Sequence, residues 1–403
     1  MKKRLSHRAR CMQPSPTLKV SALAKKMMKE GIEVINFGVG EPDFNTPEYI
    51  KEAAKQAIDA NFTRYTPSGG IPELKQAIIR KFERDNGLHY QLENILISPG
   101  AKASLINVLL AVCDPRDEVV IPTPSWVSYE SQVWLCDGHP TLLEASMENN
   151  FKITAAQLST KLKTLSNPKV LILNSPNNPT GTVYTREELE AIGSVCLEHE
   201  ILILSDEIYE KLIYDGAEHV SIASISEELE KSTIVVNGVS KAYAMTGWRL
   251  GYMAGPKEIV QKASEIQSHT TSCVNSITQK ACVTALNEDD GSVERMREEF
   301  SRRRDFMCEG LNAVPHVRCT KPQGAFYIMA DVSWYIKNNQ QDISNSEELC
   351  QYLLSQHHLA MVAGSAFQAE GFVRFSYANS MDNIRKGILW FKRGLEEMLI
   401  SER

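Results

Sequence analysis

The 403-residue sequence predicts a mostly parallel α/β sheet with helices on both faces, together with a smaller α+β domain. Three observations carry this. The apolar runs "VLIL", "ILIL" and "TIVV" do not alternate with polar residues, as expected of strands buried on both faces of a parallel sheet. Amphipathic helical segments separate them, which is the βαβ pattern. After residue 290 the texture changes to one long charged helix followed by short strand-like runs. A chain of this length exceeds one ordinary core. The predicted division is a large domain over 46–290 and a small one built from 1–45 and 291–403.

The elements follow in order. "NTPEYIKEAAKQAIDAN" offers Thr46 as N-cap and Pro47 as first helical residue, with Ile50, Ala53, Ala54, Ala57 and Ile58 on one face. "GIPELKQAIIRKFERDNG" is a second amphipathic helix stopped by Gly87. "NILISPGAKASLINVLLAVC" reads as a short strand, a glycine turn and a helix beginning near Lys102. Then come the strand signals "DEVVIP", "KVLILNSPNNPTG", "ILILSDEIYE" and "STIVVNGVSK". "YTREELEAIGSVCLEHE" opens with Thr185 and Glu188 as a capping box. "GSVERMREEFSRRRDFMCEGLNA" is the long charged helix, and "GAFYIMADV" and "GFVRFSYANS" belong to the small domain. The first forty or so residues have no place in the sheet order and are expected to pack with the C-terminal part.

Composition narrows the function classes. The formal charge of −6 argues against nucleic acid as partner, because phosphate binding wants a basic surface. The basic start "MKKRLSHRARCMQPSP" lacks an apolar segment after it and does not read as a signal peptide. No apolar run is long enough to span a bilayer. Nine scattered cysteines without a CxxC pair read as isolated thiols in a reducing cytoplasm.

Three predicted strands carry a polar residue beyond the carboxyl end: Asn178 after "VLIL", Asp206 after "ILIL" and Lys241 after "TIVV". Ligands of parallel sheets bind at those ends, so the three side chains should converge. An amine, a carboxylate and an amide around one pocket suit a planar ligand that needs a covalent anchor, a charge partner and a ring contact. Pyridoxal phosphate is such a ligand. Gly100, Ala101 and Lys102 open a helix, where free N–H groups bind anions. Helix-end attraction alone contributes about 0.3–1 kcal/mol, too little for a dianion. Arg249, eight residues past Lys241, supplies the stronger charge-assisted bond. Taken singly, Asp206 would be a helix N-cap, Trp126 and Tyr65 core aromatics, and Arg374 one half of a surface ion pair.

"SPNNPTG", "SDEIYE" and "SKAYAMTGWRLGY" resemble the signatures of class I pyridoxal-phosphate aminotransferases of fold type I, nearest to bacterial enzymes of the aspartate/prephenate subgroup. "NFGVGEPDFNTP", "RYTPSGGIPELKQAI", "PTPSWVSYESQV" and "KPQGAFY" extend the resemblance along nearly the whole chain in family order. The resemblance implies that Lys241 anchors the cofactor covalently and shuttles a proton. It implies that Asp206 pairs with the pyridinium nitrogen, and that Tyr209 and Asn178 contact the ring oxygen. Trp126 would stack on the ring. Gly100, Ala101, Lys102 and Arg249 would receive the phosphate. Arg374 would grip the substrate α-carboxylate, helped by Asn178 and the backbone of Gly40. Tyr65 would reach the phosphate of the neighbouring subunit's cofactor, which makes the expected assembly a homodimer with shared sites.

Lys102, with Ser15 and Thr17, would read a side-chain carboxylate. The expected reaction is therefore amino transfer from L-aspartate to 2-oxoglutarate. Subgroup members that use prephenate often carry lysine just before Pro-Ser; this chain has Gln13, which implies weak prephenate activity. Other specificities (prephenate, aromatic or alanine) and a fold type I lyase such as a carbon–sulfur β-lyase stay open, because the same cofactor set supports each. A ligand-sensing domain of a transcription regulator would need a DNA-binding domain ahead of "GVGEPDF", where about forty residues stand. A nicotinamide dehydrogenase is set aside, since no GxGxxG follows a strand.

Overall fold

The computed structural model describes residues 4–12, 14 and 16–400. Gln13 and Ser15 lie outside the described residues, and so does the side chain of Thr17. A seven-stranded sheet forms the larger body. Its order across the sheet is Ile95–Ser98, Gly251–Ala254, Thr233–Gly238, Leu202–Asp206, Pro168–Asn174, Glu118–Thr123, His139–Glu144. Gly251–Ala254 runs antiparallel to both its neighbours, and the other pairings are parallel.

The non-alternating apolar runs have the physical cause expected of them. Val119, Ile121, Val170 and Ile172 pack with Leu105, Val108, Val133 and Val260 of helices on one face. Val120, Leu171, Leu173 and Ile203 pack with Leu158, Leu162, Leu189 and Ile192 on the other. Successive side chains point to opposite faces, so both must be apolar when both are covered. Each such fully buried side chain contributes about 1.5–3 kcal/mol.

A four-stranded antiparallel sheet, ordered Val362–Ala363, Phe372–Ser376, Tyr327–Asp331, Arg318–Cys319, stands beside the helices Ser292–Asn312 and Met381–Glu397. The N-terminal segment joins this part: Ile35–Asn36 pairs in parallel with Leu359–Ala360, and Ala24 packs on Leu354 and Ala360. Arg303 and Arg304 of the long charged helix are buried, and each finds carboxylates: Asp43 and Glu299 for the first, Asp215 and Asp305 for the second.

Several local readings hold and others change. The helix Pro72–Asn86 ends at Gly87 in the left-handed conformation (φ 66°). Thr185 and Glu188 form their capping box. The first amphipathic helix begins at Glu48, with Pro47 in the N-cap place. Thr46 does other work: its hydroxyl donates to the Ala244 carbonyl at 2.7 Å and accepts from the Trp248 indole at 3.1 Å. It ties the chain to the loop after Lys241. No helix follows Asp206, because residues 208–211 form a turn, so the N-cap reading of that carboxylate does not hold. The strands His139–Glu144 and Gly251–Ala254 carried no clear sequence signal. The first alternates poorly, and the second is four residues long and starts on glycine.

Candidate active site

A cavity of about 400 Å³ opens at the carboxyl ends of the parallel strands. Gly40, Ala101, Lys102, Trp126, Asn178, Asp206, Tyr209, Lys241, Arg249 and Arg374 line it. Residues from seven separated chain segments thus meet in one place.

Asp206 is the last residue of its strand and 4% exposed. Its carboxylate accepts from the Tyr129 hydroxyl at 2.7 Å and from the Ile208 N–H at 3.3 Å. Burial pushes its pKa up to about 6, and those two hydrogen bonds work in the opposite direction. Beside it in register lies Asn174, the residue that ends the neighbouring strand. Asn174 donates to the Asp206 carbonyl at 2.8 Å, and its own side-chain oxygen accepts from the Asn178 N–H at 2.9 Å. The amide that stands directly at the strand end is therefore Asn174. Asn178 lies four residues further along the "SPNN" turn, which carries it across the cavity.

Asn178 meets Arg374 there. Arg374 sits mid-strand in Phe372–Ser376 and is 2% exposed. It donates to the Asn178 side-chain oxygen at 2.9 Å and to the Gly38 carbonyl at 3.0 Å, and its Nε has no partner among the described residues. Tyr327 and Phe367 hold its guanidinium by their rings, 4.3 and 4.8 Å from the centroids. Burial lowers its pKa. A buried guanidinium with an unused donor is costly unless an anion arrives. Gly38 supplies its backbone partner. Gly40 lines the same cavity, and its carbonyl accepts from Lys241 Nζ at 2.7 Å. A side chain at Gly40 would press on the Tyr327 hydroxyl.

Lys241 lies three residues past its strand. Its half-buried amine faces the cavity, and desolvation by the protein around it lowers its pKa to about 8. Glu41 opposes the shift, and Arg249 and Arg374 add to it. An amine with that pKa is half neutral near pH 8, where an ordinary lysine is almost wholly charged. Tyr209 projects from the turn after Asp206, and its hydroxyl lies 3.0 Å from that of Tyr327.

Gly100 caps the helix Ala101–Val112 with φ 88°, a conformation that favours glycine. A side chain there would strike the Arg249 guanidinium, and one at Gly251 would strike the Ala101 backbone nitrogen. Arg249 therefore lies against the helix start, held by its bond to the Thr246 carbonyl at 2.9 Å. Gly100 belongs to this cradle without lining the cavity. Lys102 stands on the first turn, 4.7 Å from the Trp126 ring centroid, with its pKa lowered by burial and then by Arg249. A cation at a helix N-terminus is electrostatically unfavourable unless an anion is near. The cavity carries five cationic side chains, Lys25, Lys102, Lys241, Arg249 and Arg374, against two carboxylates, Glu41 and Asp206.

Tyr65 is not brought to this cavity; it is 92% exposed in the single chain. Three residues escaped the sequence reading. Tyr129 follows Trp126 by one helical turn in "WVSYE", a spacing that could have marked it. Tyr327 ends "GAFY". Asn174 precedes "SPNN".

Residues 32–388 match the family model described as aminotransferase class I and II. The chain belongs to this family. The aspartate aminotransferase of Bacillus sp. (strain YM-2) is 47% identical, over 96% of this chain and 98% of that protein. An aspartate/prephenate aminotransferase of Nitrosomonas europaea is 44% identical, over 96% and 98%. The aspartate aminotransferase of Rhizobium meliloti superposes with a TM-score of 0.93 at 40% identity, covering 98% of this chain and 99% of that one. The Thermus thermophilus aspartate aminotransferase, solved with maleate, gives 0.91 at 39%, covering 97% and 99%. The aminotransferase uses pyridoxal 5′-phosphate. Its residues suit that group: an amine of lowered pKa, a buried carboxylate, a helix start backed by arginine, and an unused guanidinium N–H. Among the described residues no helix is long and apolar enough to cross a membrane.

Proposed function

We propose that the enzyme moves the amino group of L-aspartate to 2-oxoglutarate, in two half-reactions at the cavity described above. The observation that carries this is the cluster of Lys241, Asp206 and Arg374 around one space with an excess of cationic groups. Pyridoxal 5′-phosphate supplies an electron-withdrawing ring that stabilises negative charge developing at the substrate Cα. Asp206 would hold the proton at the ring nitrogen, Tyr209 and Asn178 would donate to the ring oxygen, and Trp126 would cover a ring face. Gly100, Ala101, Lys102 and Arg249 would receive the phosphate. Lys241 would be the covalent anchor and the base that takes the proton from Cα. Arg374, presented by Tyr327, Asn178 and Gly38, binds the α-carboxylate bidentately. Lys102 is the cation that receives the side-chain carboxylate. Maleate, the dicarboxylate bound by the Thermus relative, fits the same requirement for two separated cations.

The reading extends to assembly and place. The chain divides into a large domain, 46–290, and a small one, 1–45 with 291–403. It works as a homodimer in which Tyr65 completes the neighbour's phosphate site, a role that suits a phenol fully presented to solvent in one chain. It works in the cytoplasm, in keeping with the eight described cysteines, which are all free thiols. Borohydride reduction tests the site directly. The wild-type enzyme should carry one stable cofactor adduct on Lys241, and Lys241→Ala should carry none and lack turnover. An adduct mapped to another lysine would refute the assignment.

A further inference from the structure

The turn after the Leu202–Asp206 strand sends its side chains two ways. Asp206 and Tyr209 face the cavity. Glu207 and Glu210 face away from it into protein, 1% and 8% exposed. A carboxylate buried so completely needs partners, and Glu207 has three. One oxygen accepts from the hydroxyls of Ser205 at 2.9 Å and Ser221 at 2.7 Å, and the other lies 3.0 Å from His219 Nε2. Glu210 pairs with the buried Lys81 and accepts from Asn86 at 3.1 Å, which ties the turn to the helix Pro72–Asn86. None of these groups lines the cavity.

Glu207, Glu210 and His219 place one ligand atom each within 4.8 Å of one another, the spacing of a metal site. Lys81 decides against that use. Its ammonium already sits on Glu210 and donates to Asn86 at 2.7 Å, so the cation's place is filled by protein.

A polar cluster behind the catalytic wall has another use. Glu207 is covalently between Asp206 and Ile208, the residue whose N–H donates to the Asp206 carboxylate. Its own N–H donates to the Val236 carbonyl at 2.9 Å. Fixing its side chain from behind fixes the peptide planes on both sides of it. Those planes set where the Asp206 carboxylate and, two residues on, the Tyr209 hydroxyl stand. Both oxygens of the Glu207 carboxylate have partners, and buried hydrogen bonds of this kind hold a side chain in one geometry, although His219 Nδ1 has no partner among the described residues. We propose that Glu207 is a positioning residue for cofactor binding, anchored by Ser205, Ser221 and His219, and acting through Asp206 and Tyr209. This rests on the aminotransferase reading above.

The test uses apoprotein titrated with pyridoxal 5′-phosphate by absorbance, then steady-state kinetics of the loaded enzyme. Glu207→Ala should raise the cofactor Kd and lower kcat by about tenfold each, the scale of one buried charge-assisted hydrogen bond, with aspartate KM within about twofold. Glu207→Gln keeps the shape and an acceptor for the two hydroxyls, and should fall between. Thr185→Ala, at a helix cap that does not line the cavity, serves as the control that loses stability alone: its melting temperature should fall with cofactor Kd unchanged. If Glu207→Ala fails to fold, Glu207→Gln decides by itself. Glu207 variants that melt earlier but keep wild-type Kd and kcat would show a merely structural role and overturn the proposal. Wild-type protein that takes up no cofactor would instead refute the aminotransferase reading on which it stands.

Discussion

Removing the Tyr129 hydroxyl should shift the pH range in which the protein binds its cofactor. The phenol donates to Asp206 at 2.7 Å in a site where both groups are buried, and this bond holds the carboxylate below the pKa that burial alone would give. A hydrogen bond to a charged group is worth about 1.5–3 kcal/mol, and 1.36 kcal/mol is one pKa unit, so Tyr129→Phe should raise Asp206 by about 1–2 units. From about 6 in the wild type, the carboxylate would then titrate between about 7 and 8. Asp206 must be ionised to hold the ring-nitrogen proton, so binding weakens as pH falls through its pKa. Equilibrium titration of apoprotein with pyridoxal 5′-phosphate between pH 5.5 and 9 gives the Kd of variant and wild type side by side. Lys241 titrates in this range too, but equally in both proteins, so it cancels in the ratio. That ratio should approach one at pH 9, reach about threefold to twenty-fivefold at pH 6.5, and climb to about tenfold or more by pH 5.5. A ratio that is flat with pH, at one or at any other value, would refute the role given to Tyr129.

Asp206→Asn should abolish turnover and yet stabilise the apoprotein. The folded pKa of about 6 lies above the unfolded value, so the buried charge costs stability fully above about pH 6 and not at all below about pH 3.8. The gain at pH 7 should be at most about 3 kcal/mol, read from thermal or denaturant unfolding, and it should vanish toward pH 4. An apoprotein destabilised at pH 7 would contradict this sign. Lys102→Ala should reduce kcat/KM for aspartate more than for alanine, because only aspartate offers a second carboxylate. Equal losses would mean that Lys102 serves the phosphate alone. Tyr65→Ala should bind cofactor weakly, and mixing it with Lys241→Ala should restore activity at limiting cofactor, since the mixed dimer has one site with both native residues. No recovery after subunit exchange would exclude sharing of Tyr65.

Much of the site was legible because its chemistry sits where strands end. The apolar runs located Asn178, Asp206 and Lys241, and the resemblance added Arg374 in "GFVRFSYANS". What the sequence hid is contact between distant segments. The Tyr129–Asp206 bond spans 77 residues and the Tyr209–Tyr327 contact 118, and no local pattern announces either. Register was the second limit. Asn174 and Asp206 lie side by side only because their strands pair as they do, which run length alone does not fix. Thr46 was misread because its capping chemistry is met by Ala244 and Trp248, some two hundred residues away. The antiparallel Gly251–Ala254 strand was missed because four residues with a leading glycine give little β signal; packing against the start of Ala101–Val112 requires that glycine.

The central claim is that aspartate gives up its amino group to the cofactor at Lys241. The direct measurement is a single half-reaction: holoenzyme mixed with excess L-aspartate, no oxo acid added, with cofactor absorbance and released products followed together. The account predicts complete conversion of the cofactor to its amino form, one oxaloacetate per active site, and no free ammonia. Continuous release of ammonia with the absorbance returning to its starting state would mark a lyase, and an unchanged spectrum with aspartate would contradict the substrate assignment.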